Sequence, residues 1–125
     1  MIKIDIDGKD SMTKTERDNR IKSLLRISGL AKAKVHVYRT KRGKHLYISL
    51  WNEKGYARDL STEHSIIAQL ILGSDPKREL FNLERTYKAP WLDRWNVLFQ
   101  VKYKNGKVVS QERFVKIYEV VLDGR

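Results

Sequence analysis

The chain contains no cysteine. That absence removes disulfide staples, thiolate nucleophiles and every zinc site that needs a sulfur ligand. Histidine is scarce as well: three copies stand apart at His36, His45 and His64. With no HxH pair and no HExxH helix, neither a zinc site nor a histidine-based nicking centre is encoded. There is no GxSxG elbow and no glycine-rich phosphate loop. No apolar run is long enough to cross a bilayer, and the opening MIKIDIDGKD is not a signal peptide, so a cytoplasmic location with no membrane partner is expected. Linkers, internal repeats and low-complexity segments are missing too, which leaves a single domain over 1–125. Five Asn and three Gln beside 33% charged residues lean toward a thermophilic source.

What is abundant is positive charge. Lys and Arg number 26 against 15 Asp and Glu, for a net charge of +11, while a hydrophobic share of 41% is ample for one folded core. Such a field concerns partners rather than fold, and nucleic acid is the foremost polyanion, because neutralised phosphates release their condensed counterions. The densest stretch runs from Lys32 to His45, with Lys32, Lys34, Arg39, Lys41, Arg42 and Lys44 and no acid among them. Val35 and Val37 before Gly43, and Leu46 and Ile48 after it, predict a hairpin with strands over 34–40 and 44–51. Phosphate contacts are assigned to these six cations and to His45, with Gly43 letting the backbone approach a ligand closely. Tyr38 and Tyr47 on the same hairpin are candidates for stacking on bases. Trp91 and Trp95 read instead as core or staple residues beside Leu92. No basic element is shaped for the major groove, so sequence-independent binding is expected.

The remaining elements follow from periodicity and caps. Ile2, Ile4 and Ile6 alternate with Lys3, Asp5 and Asp7 as a half-buried strand ending at Gly8. Thr13 and Glu16 are spaced as a capping box for a helix with Ile21, Leu24, Leu25 and Ser28 on one face and Gly29 at its end. Gly55 to Leu60 reads as loop. Ser61 caps a second helix with Ile66, Ile67, Leu70 and Ile71 inward, closed by Gly73, and Asp75-Pro76 starts a third through Lys77–Arg85, whose Arg78 and Arg85 share a solvated face. After Pro90 come a strand over Asn96–Tyr103, a tight turn at Asn105-Gly106, and one or two strands from Val108 to Val121. The expected fold is α+β: a mainly antiparallel sheet with two to three helices on one face, in the order β-α-β-β-α-α-β-β. Unpaired strands in 108–121 would permit a homo-oligomer by strand addition, guarded by Lys107, Arg113 and Lys116.

Asp5 and Asp7, two apart on the first strand, project from one face, an arrangement suited to a hard divalent cation such as Mg²⁺ or Mn²⁺ and equally usual on a solvated strand face. IKIDID followed by a helix and then Thr40-Lys41-Arg42-Gly43-Lys44-His45-Leu46-Tyr47-Ile48 resembles the palm of small archaeo-eukaryotic primases over roughly the first 50 residues. The resemblance implies a metal held by Asp5 and Asp7, a nucleotide phosphate at His45, and a later acidic residue in a region where this chain has Asn82. Through LGSDPKRELFNLER and Trp95-Asn96-Val97-Leu98-Phe99 the whole chain also resembles small proteins of archaeal plasmids and viruses. Three readings follow. The first is a nucleic-acid-binding protein of a mobile element, with no enzymatic activity and no cofactor. The others are a metal-dependent nucleotidyltransferase and a scaffold of a replication or packaging complex.

Overall fold

The computed structural model describes residues 1–88, 95, 96, 98 and 100–122. Strand β1 (Ile2–Asp7) buries Ile2, Ile4 and Ile6 on one face, as its alternation requires. Helix α1 (Lys14–Ser28) begins where the Thr13 hydroxyl accepts the Glu16 N–H at 3.1 Å, and it ends at Gly29, whose φ of 69° is left-handed. Its inward side chains are Arg17, Ile21 and Leu25, whereas Ser28 is exposed. β2 (Lys32–Arg39) and β3 (Gly43–Trp51) form the hairpin, close to its expected limits. The stretch expected to be loop after Trp51 contains a two-residue strand, β4 (Ala57–Arg58), paired with Leu50 and Trp51.

α2 (Thr62–Ile71) and α3 (Pro76–Lys88) follow, then β5 (Val101–Lys104), β6 (Lys107–Gln111) and β7 (Arg113–Val121). Asn105 and Gly106 turn the β5–β6 hairpin at φ of 53° and 75°, the positive pair that a two-residue hairpin needs. β5 starts later than expected: Asn96 and Gln100 lie in bends, and the Asn96 side chain is committed elsewhere. Pro90, Trp91, Leu92, Val97 and Phe99 lie outside the described residues; Trp95 is half-buried. The expected α+β class holds. The order β1-β3-β2-β7, all antiparallel, makes the main sheet, with β4 extending the β1 side and β5–β6 forming a separate pair. No helix among the described residues is long and apolar enough to cross a membrane.

One face of this sheet is the core. Ile4, Leu46 and Val37 sit abreast across three strands, as do Ile2, Ile48 and Val35, and α1 covers them with Ile21 and Leu25. Each such aliphatic side chain contributes about 1.5–3 kcal/mol by leaving water. Gly43 is required by the same packing. A β-carbon there would lie 1.8 Å from the Ile6 carbonyl oxygen, so the close approach expected of a ligand is made by β1 itself.

α2 and α3 are oriented by polar contacts. Ile67, Leu70 and Ile71, expected inward, are 53%, 43% and 50% exposed, while Ser65, Ile66, Ala68 and Gln69 face in. The reason is the outer edge of β1, whose peptide groups need partners. Gln69 Oε1 accepts the Lys3 N–H, Ser74 Oγ accepts the Asp5 N–H, Arg78 donates to the Lys3 carbonyl and the Asp75 N–H donates to the Asp5 carbonyl. Glu79, 1% exposed, holds these groups by accepting from Gln69, Ser74, Arg78 and Asn82. Arg78 and Arg85 therefore do not form a solvated basic face: Arg78 is buried and Arg85 donates to Asn82 Oδ1. Glu79→Ala is expected to lower the unfolding free energy by about 3–5 kcal/mol in urea titration, because it leaves the Arg78 guanidinium buried without its counter-charge.

Candidate nucleic-acid interface

The second face of the sheet carries most of the residues singled out above. Register places Asp5, His45, Tyr38 and Phe114 in one row, and Lys3, Tyr47, His36 and Ile117 in the next. Lys34 and Lys32 continue along β2, their side chains half-buried, with the Lys34 ammonium 4.4 Å from the Trp51 ring centre and Lys32 3.7 Å from Glu119.

Within the first row His45 lies between two carboxylates. Its Nδ1 is 2.7 Å from Glu112 Oε2, and its Nε2 is 3.5 Å from Asp5 Oδ1. Burial alone would push the imidazole toward its neutral form. Hydrogen bonds and charge from Asp5 and Glu112 outweigh it and raise the pKa above the ordinary 6.5. Glu112 also accepts the Tyr47 hydroxyl at 2.7 Å, and burial with this acidic neighbour moves the phenol well above its usual value of 10. Asp5 and His45, linked by the primase resemblance, are thus adjacent, while Asp7 is exposed opposite Gly43. Among the described residues no three His, Cys, Asp or Glu side chains converge as a metal-holding group. His45 and Tyr47 are 5% and 8% exposed, so in this fold both are withdrawn from a ligand surface. Tyr38 is half-buried, edge-on between Tyr47 and Phe114.

The cations separate in the same way. Lys44 turns to the helical side, where its ammonium is 2.8 Å from Asp10. Asp10 also takes a bidentate pair from the buried Arg17, whose Nε donates to the Leu72 carbonyl. Partial burial would raise the Asp10 carboxyl, but the hydrogen bonds from Arg17, Lys44 and the Met12 N–H hold it far below the ordinary carboxylate range. Arg39, Lys41 and Arg42 are exposed at the hairpin tip, where the Gly8 N–H donates to the Arg42 carbonyl and fixes the loop against β1. Arg113 joins them, because β7 places it directly opposite Arg39. Lys44, Arg39 and Arg113 therefore stand abreast across β3, β2 and β7. Among the described residues no acid pairs with Arg39, Lys41, Arg42 or Arg113.

Glu112, Asp10, Arg17, Arg113 and Phe114 are the residues that sequence reasoning did not place at this site. The only local signal for Glu112 is an acid between two strand-like runs, and its partners are 67 and 65 positions away. Comparison with known proteins finds no matching family, no similar curated protein and no similar solved structure.

A raised histidine pKa fixes the sign of a pH effect. Protonation of His45 stabilises the fold fully below the unfolded-state value near 6.5, and that contribution is lost as pH rises through the higher folded value. Unfolding free energy measured in urea is expected to fall with pH across this window, and His45→Gln is expected to flatten the slope. An unchanged slope in the variant would remove the carboxylate–imidazolium–carboxylate arrangement.

Proposed function

We propose that this protein binds nucleic acid through phosphate, without reading base sequence, using the hairpin tip and the adjoining end of β7. The observation that carries this reading is the row Lys44–Arg39–Arg113. Like charges directly opposite in a sheet are destabilising by a few tenths to about 1 kcal/mol each. Lys44 shares Asp10 with Arg17, but among the described residues no acid pairs with Arg39 or Arg113, and Lys41 and Arg42 add to the same field. A polyanion relieves that repulsion, and counterions released from its phosphates add to affinity. The net charge of +11 supplies attraction at longer range.

A second reading has one specific observation in its favour. Asp5 and His45, matched to the primase palm, are side by side in register. The chemistry of the donor set fits a divalent cation poorly: the imidazole is biased toward its protonated form, and a proton there already supplies positive charge between Asp5 and Glu112. If Mg²⁺ or Mn²⁺ is held by Asp5 and Asp7, calorimetric titration of the wild type is expected to show a binding isotherm that Asp5→Asn abolishes. A wild-type titration without binding heat removes the reading.

For the principal reading, Arg39→Gln with Arg113→Gln is expected to move two quantities in opposite directions. Stability in denaturant should rise by about 0.2–1 kcal/mol through relief of like-charge repulsion. Affinity for random-sequence DNA should fall equally for all sequences, and the salt-dependence slope should shrink by about one for each phosphate that is no longer neutralised. A variant with wild-type affinity and slope would refute the assignment.

A further inference from the structure

We propose that the nucleic acid held here is single-stranded and that Phe114 is the platform on which an unpaired base stacks; this deepens the reading above and rests on it. Phe114 is 56% exposed on the second face of the sheet. A solitary exposed aromatic is ordinary, but this one is the open end of a fixed series. Its ring lies 5.5 Å from Tyr38 at 72°, Tyr38 lies 5.3 Å from Tyr47 at 86°, and the Tyr47 hydroxyl is tied to Glu112. A ring already ordered by its neighbour loses little rotamer freedom when a base covers it.

Phosphate donors flank this ring along the chain, their positions alternating to the helical face beside Lys44 at the tip. Arg113 precedes it, and Arg39 follows its cross-strand partner Tyr38. Asp5 is half-buried and Asp7 exposed on β1, separated from β7 by β3 and β2, while nearer the ring Glu112 is engaged by His45 and Tyr47 and Glu119 lies 3.7 Å from Lys32. Along β7 from Phe114, Ile117, also 56% exposed, extends the apolar track on the same face. A duplex keeps its base faces stacked inside and offers a flat ring only groove edges and backbone, whereas a single strand can splay a base onto the ring while cations follow its phosphates.

The test uses the full chain and two fluorescein-labelled probes of mixed sequence, a single strand of about 20 nucleotides and the corresponding duplex, titrated by anisotropy across a salt series. Wild type is expected to favour the single strand. Phe114→Ala should weaken single-strand binding between about fivefold and a hundredfold, the range for removal of one stacked base. Its salt slope and duplex affinity should stay at wild-type values, because no charge is removed. Phe114→Trp should restore the preference. Wild-type behaviour of Phe114→Ala, or equal weakening on both probes, overturns the stacking assignment and leaves phosphate binding standing. Failure of the wild type to bind either probe at low salt overturns both.

Discussion

A carboxylate without access to water governs this fold. Glu79 accepts from four side chains, and three of them, Gln69, Ser74 and Arg78, also bind the peptide groups on the outer edge of β1. A buried charge is tolerated only where its hydrogen-bonding capacity is met, and here no buried side-chain nitrogen or oxygen among the described residues lacks a partner. The consequence extends outward from the network. With β1 held in register by α2 and α3, Asp5 falls opposite His45, and the Ile6 carbonyl closes against Gly43 at the base of the hairpin.

Two groups of cations are handled differently. Arg17 and Lys44 converge on Asp10 and link α1, the loop after β1 and the hairpin into one unit. Arg39, Lys41, Arg42 and Arg113 are left to solvent at one end of the sheet. The first group uses its charge inside the fold, and the second keeps it available. The exposed group stands on a short loop that the Gly8 N–H anchors to β1, so its mutual repulsion is borne by a fixed element outside the core.

Much of the fold is legible in the sequence because it is local. The alternation in Ile2–Ile6, the Thr13 and Ser61 caps, Gly29 and the Asn105-Gly106 turn each declare their conformation within a few residues. The facing of α2 is not: its apolar residues Ile67, Leu70 and Ile71 suggest one inward side, whereas Gln69 is drawn in by peptide groups of a strand 66 positions earlier. The site is legible in part. Lys32, Lys34, Tyr38, His45 and Tyr47 share a face, as strand parity requires. That Glu112 would bury His45 and Tyr47, or that Arg113 would lie opposite Arg39, depends on the pairing of β7, which no local pattern encodes.

The helices that cover β1 leave the sheet with two unlike ends. At β1 the outward peptide groups are taken up by side chains, while the outer edge of β7 has no strand beside it among the described residues. A sheet with one sealed and one open margin can accept a single further strand there and then has no second margin to offer. If two copies meet edge to edge through β7, the contact is self-complementary and consumes the open margin of both, so growth stops at a pair. Capping β1 with side chains thus closes one margin of the main sheet to strand addition and leaves that of β7 as the place where a further strand would pair.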